Sequence, residues 1–331
     1  MSPDVPYADN SVPLSAQDEH LPVLLHEVIA ALLSTRVSVA STDTASTILV
    51  DGTFGRGGHS RQLLQRLSAD DRLFALDRDP DAASVANLLA DEDPRFSFVQ
   101  ARFSELGSVL AQRGFDGVDG ILLDLGVSSP QLDRAERGFS FSADGPLDMR
   151  MNPDEGQSAA DWLNSAEENA IATVLWEYGE ERQSRRIARE IAAARPLATT
   201  LELADLVERV AVAPKKNQRK HPATRTFQAI RMHVNAELEE LDEGLKAGFN
   251  ALSIGGRLAV ISFHSLEDRK VKRTFRELSQ PPRLPRRLPV RHSAEQIPGR
   301  LVSGAIKPGL AELNANPRAR SAILRVIERV S

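Results

Sequence analysis

A buried strand that runs straight into a glycine-rich turn and then a helix constrains this chain more than any other feature. The stretch is Ile48-Leu-Val-Asp51-Gly-Thr-Phe-Gly55-Arg-Gly57-Gly58-His59. An apolar run ends in a carboxylate, and glycines follow before the amphipathic pattern of Leu63, Leu64 and Leu67 begins. Glycine lets a backbone turn tightly and approach a ligand without a Cβ in the way. Such an architecture holds a nucleotide-like cofactor. A second reading is that the glycines serve only the geometry of the turn.

Leu73-Phe-Ala-Leu76 reads as the next short buried strand and ends in Asp77-Arg78-Asp79-Pro80. A carboxylate at the tip of the second strand, after a glycine-rich first turn, is where a ribose hydroxyl pair is gripped. The first turn, however, is Asp51-x-x-x-Gly55-x-Gly57 and not the Gly-x-Gly-x-x-Gly of dinucleotide sites. An acid opening the turn suits a ligand that carries an amine. A pyrophosphate prefers bare helix N–H groups. Together these features favour S-adenosylmethionine over NAD.

At 331 residues the chain can bury a large core, as one domain with an insertion or as two domains. Cysteine is absent, which excludes disulfides, cysteine nucleophiles and thiolate metal sites. The seven histidines are scattered, with no His-x-x-x-His pair, so no metal is expected. No stretch reaches transmembrane length and the N-terminus lacks a signal pattern, so a cytoplasmic protein is expected. The net charge of −5 opposes nucleic-acid binding overall, but basic residues are segregated. Lys215, Lys216, Arg219, Lys220, Arg225 and Arg231 fall in one acid-free stretch, and from Arg269 to Arg291 nine Lys/Arg face only Glu277. Solvated faces are the default reading of such runs, and contact with RNA is the alternative.

Residues 1–19 read as a disordered tail. A helix is expected at 22–33, strands near 47–50, 72–76, 96–100 and 120–123, and helices near 58–67, 81–90 and 104–113. Strands alternating with helices imply a parallel sheet covered on both faces. The rhythm breaks after Asp124. Residues 159–163, 167–178, 182–194 and 201–210 read as helices without strands, an insertion after the fourth strand. A long helix over 225–252, a strand at 257–261 behind Gly255-Gly256, and a helix over 265–278 follow. Residues 279–318 read as a Pro- and Arg-rich loop, and 320–330 as a final strand.

In an open parallel sheet, ligands sit beyond the carboxyl ends of the strands near the switch point. That places Asp124, which closes the fourth strand, beside Gly55–His59 and Asp77. It could take a hydrogen bond from an exocyclic amine or contact the cofactor; its other reading is a turn cap. Phe103 could cover an adenine face or belong to the core. His59 could bond the cofactor or merely begin a helix, and His264 could be catalytic or structural. The Gly138–Pro153 stretch is too long and too marked by Gly and Pro for a helix. It could shape the pocket or lead into the insertion.

Several segments resemble one family. They are His20-Leu-Pro-Val-Leu-Leu-His-Glu27, Asp51–His59, Ala75-Leu-Asp-Arg-Asp-Pro80, Leu122-Leu-Asp-Leu-Gly-Val-Ser-Ser-Pro-Gln131, Arg137-Gly-Phe-Ser-Phe141, Thr226-Phe-Gln-Ala-Ile-Arg231, Val234-Asn-Ala-Glu-Leu238 and Ile261–Arg269. In this order they resemble ribosomal RNA small subunit methyltransferase H, over about residues 20–330. The resemblance implies an α/β, class I methyltransferase (Rossmann-like), mostly parallel sheet with an inserted helical domain. It divides the chain into a cofactor-binding domain (20–135 and 225–331) and a loop and helical insertion (136–224) that recognises RNA. It implies S-adenosylmethionine-dependent methylation of a cytidine N4 in the decoding region of 16S ribosomal RNA, with the small ribosomal subunit as partner. Cofactor contacts would be Gly57, Gly58, His59, Asp77, Phe103, Asp124 and Gln131, with Asp124 also catalytic. Thr53 stands where many class I relatives have glycine. Asp124-Leu-Gly-Val stands where many amino-methyltransferases have Asn/Asp-Pro-Pro-aromatic. The residues alone also admit a methyltransferase of DNA or protein, or a non-catalytic ribosome-binding factor.

Overall fold

The computed structural model describes residues 22–33, 46–210, 221–281 and 297–331. The expected tail, Lys215, Lys216, Arg219 and Lys220, and the middle of the Pro- and Arg-rich loop lie outside the described residues. Seven strands form one sheet in the order β3-β2-β1-β4-β5-β7-β6. They are β1 (Ile48–Asp51), β2 (Arg72–Asp77), β3 (Phe96–Gln100), β4 (Val118–Asp124), β5 (Leu252–Ser262), β6 (Gly299–Leu301) and β7 (Ile323–Arg329). β1–β5 run parallel, and β7 pairs antiparallel with both β5 and β6. This is the class I methyltransferase, Rossmann-like sheet expected from the sequence.

Alternation along the strands builds two cores. Leu49, Leu73, Ala75, Leu122, Ala259 and Ile261 face α1 (Leu25–Leu33), α2 (Gly58–Leu64) and α3 (Pro80–Glu92). Val50, Phe74, Leu76, Ile121, Leu123 and Val260 face α4 (Leu106–Gln112) and two later helices, α11 (Glu237–Ala251) and α12 (Ser265–Ser279). The central strands β1, β2, β4 and β5 are thus buried on both sides over most of their length, which is why they read as continuous apolar runs. Between them in the chain, α5 (Ser129–Asp133) is followed by α6 (Ala159–Ser165), α7 (Glu168–Glu177), α8 (Ser184–Ala193), α9 (Thr200–Val210) and α10 (Ala223–Val234). Helices α6–α10 enclose a third core, into which Leu147 and Met149 also reach.

Four expectations are corrected. The single long helix over 225–252 is two, broken where Ala236 takes a left-handed conformation (φ 50°). Apolar spacing persists across the break, so periodicity alone hides it. Asn235 bends the chain there by turning its buried side chain onto Met149 and Met151. The loop over 279–318 contains, in its described part, β6 and α13 (Leu310–Ala315). The last strand starts at Ile323, because Pro317–Ser321 forms a 3₁₀ turn. Strand β5 also begins earlier than its apolar run, at Leu252, with an irregular register opposite β4 across Gly255-Gly256. Among the described residues no helix is long and apolar enough to cross a membrane.

Candidate active site

A cleft of about 460 Å³ opens over the carboxyl ends of β1, β2, β4 and β5. β1 and β4 are neighbours with β2 beyond β1, so the cleft lies at the topological switch point. Of the residues expected at the cofactor, Gly58, His59, Asp77, Phe103, Asp124 and Gln131 line it. Gly57 does not. It is the left-handed residue (φ 74°) that turns the chain into α2, and a Cβ there would sit 2.7 Å from the Phe54 ring.

Asp51 does not line the cleft either. Its carboxylate is 1% exposed and accepts from Ser60 Oγ (2.7 Å) and the Thr53 N–H (3.2 Å). The acid that opens the turn therefore holds the turn onto α2, instead of meeting a ligand amine. Burial pushes its carboxyl up to about 6, against those two hydrogen bonds. Thr53, the departure from glycine, has a visible role: its hydroxyl accepts from the Asp124 N–H at 2.6 Å, tying the turn to the end of β4. Asp77 accepts from the Gly55 N–H (2.7 Å) and the Asp79 N–H (2.9 Å), so the tip of β2 fixes both neighbouring loops. Burial lifts this carboxyl to about 6 as well.

Asp124 and His59 face each other, with Oδ2 and Nδ1 3.5 Å apart. His59 Nε2 lies 3.0 Å from the Val23 carbonyl, which can only accept, so Nε2 carries a proton. Asp124 Oδ1 is buried and meets no partner among the described residues. Burial, then the charges of Asp51 and Glu267, push the Asp124 carboxyl up to about 8, whereas burial pulls His59 down to about 4.

Phe103 does two things at once. It lines the cleft and packs so closely on α11 that only glycine fits at 244. Gln131 is 4% exposed and largely committed: Oε1 accepts from the Ser128 N–H at the start of α5, and Nε2 donates to Asp79 Oδ2 at 2.7 Å. Sequence reading passed over Asp79 and Arg137, which complete this network. Their signal was an acid at the N-cap of α3 and an arginine inside a recognised motif.

His264 is the N-cap of α12. Nδ1 accepts weakly from the Glu267 N–H at 3.4 Å, whereas Nε2 lies 2.9 Å from Glu267 Oε1 without making a hydrogen bond, and the ring lines the cleft. Glu267 and His264 come together with Glu237, a cluster that scattered histidines in the sequence did not foretell. Arg231 forks onto both oxygens of Glu237 at 2.7 Å and so meets its charge from within the protein. The Gly138–Pro153 stretch serves both expectations, since Leu147 and Met149 are core residues while Met151 lines the cleft. Among the described basic residues, Arg231 is thus internal, while Arg269 and Arg273 are exposed on surface ion pairs that bind them weakly.

The cleft suits S-adenosylmethionine by charge and shape. Buried acids ring its floor, one carboxylate oxygen is unpartnered, and the turn at Gly55–Gly58 brings backbone close. Among solved structures, an rRNA methylase from Streptococcus thermophilus is 11% identical (TM-score 0.39), covering 92% of this chain and 94% of that one. A putative rRNA methylase from Clostridium thermocellum is also 11% identical (TM-score 0.38), covering 86% and 87%. The model of the MraW methylase family matches residues 17–330. The chain belongs to the MraW methylase family, and its cofactor is S-adenosylmethionine.

Proposed function

We propose that this methylase acts on the exocyclic N4 of a cytidine in the decoding region of 16S ribosomal RNA, within the small ribosomal subunit. The observation that carries the reading is the unpartnered, buried Oδ1 of Asp124 at the end of β4. S-adenosylmethionine supplies an electrophilic methyl group. A cytosine N4 is a poor nucleophile because its lone pair is delocalised into the ring. Asp124 acts on that problem by accepting a hydrogen from the amine while the base is held out of its stack. His59 stands beside the carboxylate, Asp77 takes the cofactor's ribose, and Phe103 covers an adenine face. Gly58 and Gln131 line the same site, and Gly57 gives the turn its shape. The helical insertion over 136–224, with α10 packed into it, serves RNA recognition. The ribosomal target rests on the motif resemblance.

Labelled methyl transfer to small-subunit particles, naked 16S RNA and DNA, followed by identification of the methylated nucleoside, tests this. Label in N4-methylcytidine from RNA is the expected result. Label only in DNA or protein, or none, would replace the reading with its alternatives. Asp124→Ala should abolish transfer, and a variant with the wild-type rate removes Asp124 from the mechanism.

A further inference from the structure

His59 and Asp124 present a problem of proton count. Nε2 of His59 donates to the Val23 carbonyl, so Nδ1 is either a lone pair or a second N–H. Opposite it, 3.5 Å away, is Asp124 Oδ2. A bare carboxylate facing a bare ring nitrogen would be two acceptors side by side, with Oδ1 of that carboxylate buried and unpartnered although the Asp124 side chain as a whole is 26% exposed to the cleft. With no cation beside it that arrangement is disfavoured, so in the ligand-free chain one proton sits on the pair, on Nδ1 or on the carboxyl; a positive charge next to the carboxylate is what would let the bare pair persist. The surroundings choose the carboxyl. His59 is 6% exposed and resists charging, and Oδ1 of Asp124 lacks the donors that a buried carboxylate needs. The charged neighbours agree. Asp51 on β1 and Glu267 on α12 both oppose ionisation of Asp124. Asp77 on β2 adds to the same group of acids through Asp51. Glu267 is offset by His264 and Arg231, and no cation among the described residues acts on Asp124 itself.

We propose that the His59–Asp124 pair holds one proton while the cleft lacks a cation, releases it when the sulfonium of S-adenosylmethionine is bound, and recovers a proton from the target amine during transfer. A unit positive charge beside a carboxyl lowers its pKa by about 1–3, enough to ionise half or more of Asp124 at neutral pH. Asp124 is then an acceptor at the moment it is needed. In the transfer the N–C bond forms as the C–S bond breaks, that bond's electron pair stays on sulfur, and the amine's proton passes to Asp124. The product thioether is neutral, so the protonated carboxyl is again the stable form. The cleft carries the same net charge at every stage. The recovery step rests on the amine target proposed above; the release step does not.

Calorimetric titration of the wild-type chain tests the release directly. S-adenosylmethionine and S-adenosylhomocysteine are titrated at one pH in buffers of different ionisation enthalpy, which counts protons exchanged. The two ligands differ at sulfur only in the methyl and its charge. S-adenosylmethionine should release about half a proton to one proton more near neutral pH. Its affinity relative to S-adenosylhomocysteine should rise with pH, by up to about tenfold per unit, and level off above about pH 8. Asp124→Asn should remove the difference. Should that variant bind neither ligand, infrared difference spectra of the wild-type chain with ¹³C-labelled aspartate decide instead. The protonated carboxyl band should vanish with S-adenosylmethionine and persist with S-adenosylhomocysteine. Equal proton counts, or a band indifferent to the ligand, overturn the proposal even if N4-methylcytidine is the product. A different methylated acceptor would overturn the cytidine reading and leave the proton release standing.

Discussion

Arg137 and Asp79 form a buried ion pair, 3.0 Å from Nη1 to Oδ2, with side chains 10% and 7% exposed. The same guanidinium reaches Asp81 Oδ2 and donates to the carbonyls of Arg150 and Met151. One side chain thus joins the loop after β2, which holds Asp77, to the segment that presents Met151 to the cleft. Removing one partner of a buried pair typically costs about 3–5 kcal/mol, because the other charge stays buried. Arg137→Ala should therefore destabilise the chain on that scale in urea unfolding and weaken cofactor binding. Arg137→Lys should recover only part, since an ammonium cannot span two carboxylates and two carbonyls. A loss below about 0.5 kcal/mol, the range of an ordinary surface change, would sink the argument.

Gly244 gives a prediction whose sign is opposite to the helix rule. Glycine to alanine in a helix ordinarily gains about 1 kcal/mol. Here the new Cβ would lie 2.2 Å from Phe103 Cδ2 and 2.3 Å from Cε2. The ring must move, and it lines the cleft. Gly244→Ala should lower S-adenosylmethionine affinity, measured by calorimetry, while Gly107→Ala, where a Cβ meets open space, should leave it unchanged. Equal affinities for the two variants would show that Phe103 does not depend on Gly244.

The sheet and much of the cleft were legible because they rest on local signals. Apolar runs ending in Asp51, Asp77 and Asp124 mark strand ends, and the fold brings such ends together. What escaped depends on contacts distant in sequence. Asp51 looked like a ligand contact, but its partner Ser60 sits a turn into α2 and takes it out of the cleft. Asp79 is bonded by Gln131 and Arg137, more than fifty residues away, so it read as one acid in Asp-Arg-Asp. His264 was ambiguous until its ring was seen to cap α12, with Nδ1 accepting from the Glu267 N–H and Nε2 beside the Glu267 carboxylate. The break at Ala236 is invisible to periodicity, because Asn235 creates it by bonding to residues 84 and 86 positions earlier.

Asn235 is 2% exposed and every polar group of its side chain is used. Nδ2 donates to the carbonyls of Met149 (2.7 Å) and Arg231 (2.9 Å), and Oδ1 accepts from the Met151 N–H (2.7 Å). Asn235→Ala should leave buried backbone groups unpaired, at about 1–3 kcal/mol each. Asn235→Asp is nearly the same shape but replaces the donor with a carboxylate oxygen facing two carbonyls. It should therefore be at least as destabilising as alanine near neutral pH, as read from urea midpoints. An aspartate variant close to wild type would mean that the amide donor matters little.

Stability without ligand should fall between pH 6.5 and 8. Asp124 titrates at about 8 in the fold against an ordinary 3.8, so in this window the folded chain binds more protons than the unfolded one. Stability then decreases as pH rises, by at most about 1.4 kcal/mol per unit, or roughly 1–2 kcal/mol across the window. Other shifted groups act only weakly there and in opposite directions. The unfolded His59 is half protonated at 6.5 while the folded ring, held down to about 4, is neutral, which trims the slope at the acid end; Asp51 and Asp77, held up to about 6, keep a small fraction of a proton in the fold and add to it. Thermal unfolding of the ligand-free chain should show a midpoint lower by a few degrees at pH 8 than at 6.5. Asp124→Asn should flatten that slope, because the proton it removes is the one that titrates. A wild-type midpoint that rises across the window would contradict a protonated Asp124 in the empty cleft.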